Sequence, residues 1–351
     1  MLARMGSEAA GARDDRRRSP NMHDVARVAG VSLGTVSHAL NKPHLVSDAA
    51  RARVEAAIAE LGYVRNRTAR SLVAGDSATV GFVLVDLANS LFVDIARGAE
   101  DATRQRGMAL LLANADVDRD RQDRYLRLFD ETRVSGILLA PLDAPLDAAA
   151  TVREHGRPVV LVNYEADGYC GVIVDEEHGG YLAARHLLEL GRTRLAFVGG
   201  PLTLKALDGR LRGARRAVAE AGADVSLRHL PTDYLNPREG RRVAAEVAAL
   251  DAVERPDGLV VAADSLAAAC IQELTTHGIK VPVDISVTGY DDNHFAADSA
   301  IPLTTLRQPA RDMGEAATAL LMTEIAARGG HEHRTVVMRP ELVVRDSTAV
   351  R

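Results

Sequence analysis

The sequence predicts an α-helical helix-turn-helix head followed by an α/β body of two doubly wound parallel-sheet subdomains. Two observations carry that expectation. Residues 22–61 place apolar side chains at helical spacing in three short segments, separated by a glycine turn and by serines where helix caps belong. From residue 78 the rhythm changes to Val-, Ile- and Leu-rich runs alternating with helical stretches, the pattern of buried parallel strands joined by helices.

In the head, Val25, Ala26 and Ala29 share one helical face, and Gly30 supplies the permissive backbone of a sharp turn. Ser32 stands at the N-cap of a second helix, whose Val36 and Leu40 face inward one turn apart. Ser47 caps a third, with Val54, Ile58 and Leu61 as its apolar stripe. Three such helices share one small core, and alone they form a marginal domain. The outward positions of the second helix, Leu33, Gly34, Thr35, Ser37 and His38, lie near its N-terminal end, which is the end a recognition helix presents to base edges and phosphates. Double-stranded DNA is the expected partner; the alternative is an ordinary three-helix piece of a larger fold.

In the body, residues 79–85, 108–113, 136–140, 158–162, 195–198, 259–262 and 285–288 read as strands, and 341–345 is strand-like. Residues 91–106, 119–132, 178–190, 209–221, 238–250 and 266–277 read as helices. The stretch 302–308, followed by a helix over 310–327, suggests that the chain crosses back between subdomains. Open α/β sheets bind ligands beyond the carboxyl ends of their strands, which selects Asp86, Asn89 and Phe92 after the first strand, Asn163 and Tyr164 after the fourth, and Asp291 after Gly289-Tyr290. Asp86 and Asn163 could equally cap their own loops.

Composition bounds the rest. The 351 residues, 47% apolar and 26% charged, suit a well-cored chain of two or three domains. Residues 1–75 carry twelve Arg and Lys against seven Asp and Glu, a charge of +5, so the remainder carries −10 of the total −5. A basic head on an acidic body directs a polyanion to the head. There is neither an apolar signal segment nor a membrane-length apolar run, and a cytoplasmic protein is expected. Cys170 and Cys270, a hundred positions apart, suggest neither a disulfide framework nor a zinc site. His331, Glu332 and His333 sit in a Gly-rich stretch and are expected to form a solvated turn, so no metal or other cofactor is expected. No G-x-G-x-x-G, Walker, G-x-S-x-G or H-E-x-x-H motif occurs, and Asp291-Asp292 would point to opposite sides if extended, so no catalytic residues are assigned.

The run from Asp24 to Asn41 reads D-V-A-x-x-A-G-V-S-x-x-T-V-S-x-x-L-N without a gap and resembles the opening of the lactose/galactose repressor (LacI/GalR) family. The resemblance extends over residues 22–347. It implies a DNA-binding transcriptional repressor whose body is similar to periplasmic sugar-binding proteins. The first nineteen residues, rich in Ala, Gly, Arg and Asp without periodicity, read as disordered and place a tail at 1–21; the resemblance divides the rest into a DNA-binding head (22–65), a hinge (66–77) and an effector-binding and dimerisation body (78–351). A near-palindromic operator would be bound by a homodimer through Ser32, Leu33, Gly34, Thr35, Ser37, His38 and Asn41, with Leu33, Gly34 and His38 at the positions from which family members read the major groove.

The A-R-S-L match at residues 69–72 implies a hinge helix using Asn66, Ala69, Arg70 and Leu72, in which Leu72 is wedged between base steps and Arg70 meets a phosphate. A flexible linker is the alternative there, and Arg65 stands where the family often has proline. In the cleft, the resemblance adds Arg210 in R-L-R-G, Asp291 in G-Y-D-D, Gln308 in T-T-L-R-Q-P, and Phe92 at the end of the stretch that reads N-P-F-F in the family, so the effector set is Asp86, Phe92, Asn163, Arg210, Asp291 and Gln308. Ala263 replaces the asparagine usual in A-N-D. A sugar or sugar derivative is the first effector class. A nucleoside, another metabolite or a protein partner is the alternative, and a solute-binding protein is the non-regulator alternative.

Overall fold

The computed structural model describes residues 20–63, 78–327 and 330–349, and its contacts divide the chain into two units, Met1–Gly75 and Asp76–Arg351. The expected tail up to residue 19 lies outside the described residues, as do the hinge residues Asn66, Ala69, Arg70 and Leu72.

Among its described residues the first unit contains helices α1 (Met22–Ala29), α2 (Leu33–Asn41) and α3 (Asp48–Leu61), with a 3-10 turn at Pro43–Leu45. Asn21, read as the end of the tail, instead caps α1 in a reciprocal box: its side chain accepts from the Asp24 amide while Asp24 accepts from the Asn21 amide. Gly30 ends α1 at φ +63°, a left-handed conformation that glycine adopts without steric cost. Ser32 and Ser47 cap α2 and α3 by accepting from the amides of Thr35 and Ala50. Val25, Val36, Val54 and Ala57 form the buried centre, whereas Leu40, Ile58 and Leu61 pack around it half-buried.

The second unit holds two parallel sheets. Strands β1 (Thr79–Leu84), β2 (Ala109–Asn114), β3 (Ile137–Leu139), β4 (Val159–Val162) and β5 (Cys170–Val174) belong to the first, and β11 (Thr335–Met338) joins its edge to give the order β11-β5-β4-β3-β1-β2. Strands β6 (Arg194–Val198), β7 (Ser226–Leu230), β8 (Gly258–Val261) and β9 (Ser286–Thr288) form the second, in the order β7-β6-β8-β9. A two-stranded antiparallel pair, β10 (Thr305–Arg307) with β12 (Glu341–Val343), completes the body.

Each sheet is covered on both faces because its strands alternate apolar side chains between two cores. In the first, Phe82 and Leu84 pack with α4 (Ser90–Arg104) and α11 (Ala310–Ala327), while Val83 packs with α5 (Arg119–Glu131) and α6 (Asp147–Glu154). In the second, α7 (Glu176–Glu189) and α8 (Lys205–Ala221) cover one face, and α9 (Pro237–Ala248) and α10 (Asp264–Thr276) the other. The chain does cross back: Met313, Ala317 and Leu321 of α11 are buried in the core of the first sheet. Close helix approach depends on glycine at two places. A Cβ at Gly98 or Gly314 would collide with backbone carbonyls of α11 or α4, and one at Gly180 or Gly213 with those of α8 or α7.

Four strands and one helix go beyond the sequence expectation: β5, β7, β10, β11 and α6. β7 and β11 are edge strands with half-exposed residues, so they lack the continuous apolar run of a buried parallel strand.

Candidate functional site

Two surfaces concentrate the candidate residues. On the head, the caps leave the first turns of α2 in solvent: Ser32, Leu33, Gly34, His38 and Asn41 are exposed, and Thr35 and Ser37 half-buried. Leu33 remains 39% exposed although apolar. Ser32 Oγ lies 2.9 Å from Thr35 Oγ1, and Asn41 Nδ2 donates to Ser37 Oγ at 3.3 Å, so neighbouring polar groups are oriented by one another. Among the described residues a Cβ on Gly34 would meet only Ser32 Oγ, at 3.7 Å, an ordinary contact that does not demand glycine there. The face combines one apolar side chain, one imidazole and bare backbone, a set able to touch a thymine methyl, one base edge and phosphates.

In the body, the strand ends of both sheets meet around a buried polar cluster. Arg210 on α8 is 5% exposed. Its Nε and Nη2 donate to both Glu176 oxygens at 2.7 and 3.0 Å, its Nη1 donates to the Ala262 carbonyl at 2.6 Å, and its guanidinium carbon lies 3.5 Å from the centre of the Tyr290 ring. Burial by itself would lower the Arg210 pKa, but the Glu176 carboxylate outweighs it and holds the guanidinium charged.

Asp291, 9% exposed, accepts from Asn89 Nδ2 at 2.9 Å and from Gln308 Nε2 at 2.7 Å. Burial raises its pKa, against the pull of Arg210. Gln308 Oε1 is buried with no hydrogen-bond partner among the described residues. Asp291 and Gln308 also line a cavity of about 350 Å3, with Leu91, Asp94, His294 and Arg307 on its wall.

These contacts clasp the two subdomains. From the start of α4, Asn89 holds Asp291, the Ser90 amide and hydroxyl both donate to Asn293 Oδ1 at 2.9 Å, and Asp94 Oδ2 lies 2.9 Å from His294 Nε2. Beneath them Asp264, fully buried, accepts from the Asn293 amide and from Thr305 Oγ1, each at 2.6 Å. Burial and then the charge of Asp291 push its pKa up to about 8.

The remaining expectations fare differently. Phe92 is 8% exposed and packs into the first sheet's core, because its helix turns that face toward β1 rather than toward the cleft. Asp86 Oδ1 accepts from the Ala88 amide at 2.8 Å, the loop-shaping role. Asn163 is half-buried with φ +56°, a left-handed conformation that asparagine tolerates better than most residues. Asp291 and Asp292 are not extended but sit at φ +104° and +54°, and Asp292 is spent on Arg307 and Arg345, both at 2.7 Å. Glu176, Tyr290, Asp264 and Asn293 escaped the sequence reading. Only their adjacency to G-Y-D-D or to a helix start hinted at them, since Glu176 precedes Arg210 by 34 positions.

Both parts of the chain resemble known proteins. Residues 21–66 match the model for bacterial regulatory proteins of the lacI family, and residues 184–348 match the periplasmic binding protein-like domain. The HTH-type transcriptional repressor PurR of Aliivibrio fischeri is 33% identical over 331 residues, covering 93% of this chain and 98% of the relative. Among solved structures, the lac repressor dimer bound to operator and the anti-inducer ONPF is 26% identical with a TM-score of 0.79, over 95% of this chain and all of the other. The complex of the transcriptional regulator CelR with cellobiose is 30% identical with a TM-score of 0.68, over 93% and 99%. Among the described residues no helix is long and apolar enough to cross a membrane.

Proposed function

Because the chain belongs to the lacI family of bacterial regulatory proteins, and is a DNA-binding transcriptional repressor rather than an enzyme, we propose that it binds a near-palindromic operator as a homodimer under the control of a small molecule held in the body. The division into head (22–65), hinge (66–77) and body (78–351) is part of this proposal. Leu33, Gly34 and His38 read the major groove, with Ser32, Thr35, Ser37 and Asn41 on phosphates, and Asn66, Ala69, Arg70 and Leu72 form the operator-ordered hinge. Dimerisation is supported by the exposed Leu111 and Leu112 on edge strand β2, with Leu87 and Val117 nearby.

The observation that carries the effector reading is the buried set Arg210, Asp291 and Gln308 at the strand ends, with Gln308 Oε1 still able to accept. Sugar hydroxyls would donate to Gln308 Oε1 and compete with Asn89 for Asp291. Effector binding would thereby act on the clasp between α4 and residues 289–294. Induction follows when the liganded body no longer supports the hinge. The relative bound to cellobiose supports a sugar as first choice. Ala263, 5% exposed and without an amide, favours a nucleoside as the second reading.

The test begins with selection of genomic fragments on the full chain at stated salt, since phosphate contacts dominate affinity. A near-palindromic site, followed by its release in a panel of sugars and nucleosides, supports the reading. Absence of selective enrichment with and without each candidate effector overturns it. In the same assay Leu72→Ala should weaken operator binding and bending while leaving effector affinity unchanged.

A further inference from the structure

The opposite edge of the first sheet carries chemistry that neither operator nor effector binding uses. Cys170 opens β5, Glu324 lies in the last turns of α11, and His331 and His333 precede β11. Their ligand atoms all fall within 4.8 Å of one another. Cys170 Sγ is 3.0 Å from His331 Nε2, and Glu324 Oε1 is 3.5 Å from His333 Nδ1. Cys170 is fully buried and Glu324 only 7% exposed. Glu324 Oε1 and His333 Nδ1 are both buried without a hydrogen-bond partner among the described residues. Such atoms are rare in folded proteins because burying a polar group unpaired is costly, and here two face each other beside a thiol and a second imidazole.

The residues before β11 run extended, so His331 and His333 turn inward while Glu332 and Arg334 are exposed. The solvated turn expected from the Gly-rich sequence is therefore only half correct. The carboxylate that joins the histidines is Glu324, not Glu332.

We propose that Cys170, Glu324, His331 and His333 bind one divalent transition-metal ion of the zinc class. Sulfur, two imidazole nitrogens and a carboxylate oxygen form a donor set that suits Zn2+ and Co2+ and disfavours the oxygen-seeking Mg2+ and Ca2+. Metal bonds of about 2.0–2.3 Å in a tetrahedron place neighbouring ligand atoms about 3.3–3.8 Å apart. The 3.5 Å pair already fits that range and the 3.0 Å pair must open slightly, while pairs out toward the 4.8 Å limit must close by up to about 1 Å. Thiolate and carboxylate together neutralise the ion, and the thiol proton leaves to solvent.

Four protein ligands close the coordination sphere, so the ion acts as a staple between β5 and the returning α11 and β11, not as a catalyst. Arg153 also has to respond. Its Nη2 lies 3.0 Å from His333 Nε2, and a guanidinium only donates. Metal on Nδ1 leaves the imidazole proton on Nε2, so Arg153 gives up that contact and keeps its place over Tyr169, 4.4 Å from the ring centre.

The experiment is titration of the untagged, chelator-treated full chain with Co2+ and then Zn2+. The expected result is one Co2+ per chain with a thiolate-to-cobalt absorption band and the visible spectrum of a four-coordinate site. Zn2+ should displace both signals and raise the melting temperature. Cys170→Ser should abolish the thiolate band and His333→Gln should weaken binding at least tenfold. Cys270→Ser, at the buried thiol bonded to the Gly240 carbonyl, should change neither. No band at stoichiometric Co2+, or a band that survives Cys170→Ser, overturns the proposal. Should Cys170→Ser not fold, His331→Gln at a half-exposed position serves instead, and unaltered affinity in that variant is equally fatal.

Discussion

Leu33, Gly34 and His38 of the head stand in solvent on a frame held by fully buried Val25 and Val36, whereas Arg210, Asp291 and Gln308 of the body are only 5, 9 and 3% exposed. The difference separates two kinds of recognition. The head offers groups that water can leave, so a partner meets a surface already formed. The body offers groups already bonded to one another, so a ligand must exchange partners with them, and its binding energy is coupled to whatever those partners hold in place.

Substitutions can break this contrast, and the greatest loss is expected at Arg210. Arg210→Ala strands the Glu176 carboxylate in a site where it is 10% exposed, which costs about 3–5 kcal/mol. Urea unfolding of the body should register that loss, while operator binding by protein still folded at low temperature persists without effector response. A body as stable as the parent would show that the pair contributes nothing.

Next comes pH. Folded Asp264 keeps its proton up to about pH 8, while the unfolded chain loses it near 4. The folded state therefore binds the extra proton between those values, and stability falls as pH rises through the window, by up to about 1.4 kcal/mol per unit, before levelling off above 8. Asp264→Asn, which still accepts from the Asn293 amide, should flatten the profile measured from pH 5 to 8; an unchanged slope assigns it to other groups.

Val36→Ala should remove about 2 kcal/mol from a head with little to spare, so calorimetry should find the head melting early and the body unmoved. Gly34→Ala gives the smallest effect, a gain of up to about 1 kcal/mol in head stability, since among the described residues a Cβ there meets only Ser32 Oγ. If operator affinity survives that change intact, close backbone approach at residue 34 is not part of DNA recognition.

The same contrast explains what the sequence disclosed. The head is built from local rules: Ser32 and Ser47 each cap the helix that starts at the next residue, Gly30 ends the helix before it, and the exposed face is whatever the apolar stripe leaves over. Each of these signals acts within a few residues of its own position. Central strands β4 and β8 were equally legible because Val159–Val162 and Gly258–Val261 are buried on both faces, whereas the interior strand β5 was missed although it too is buried. Edge strands β7 and β11 were not legible, since half-exposure dilutes the apolar signal. Arg210 was found by its motif, but its commitment to Glu176 and Tyr290 depends on tertiary packing. Cys170 and His331 lie 161 positions apart, and only the return of the chain to the first sheet makes them neighbours.

That return also sets a schedule for biosynthesis. After β5 the ribosome must make about 130 further residues before α11 emerges, which at about 5–20 residues per second takes about 7–26 s. Throughout that interval the sheet face that includes Leu138, Val160 and Val172 lacks Met313, Ala317 and Leu321, its partners in the finished core. The second subdomain is thus synthesised as an insertion within an unfinished first one, and the nascent chain carries an uncovered apolar face that chaperones can engage until its own last helix arrives.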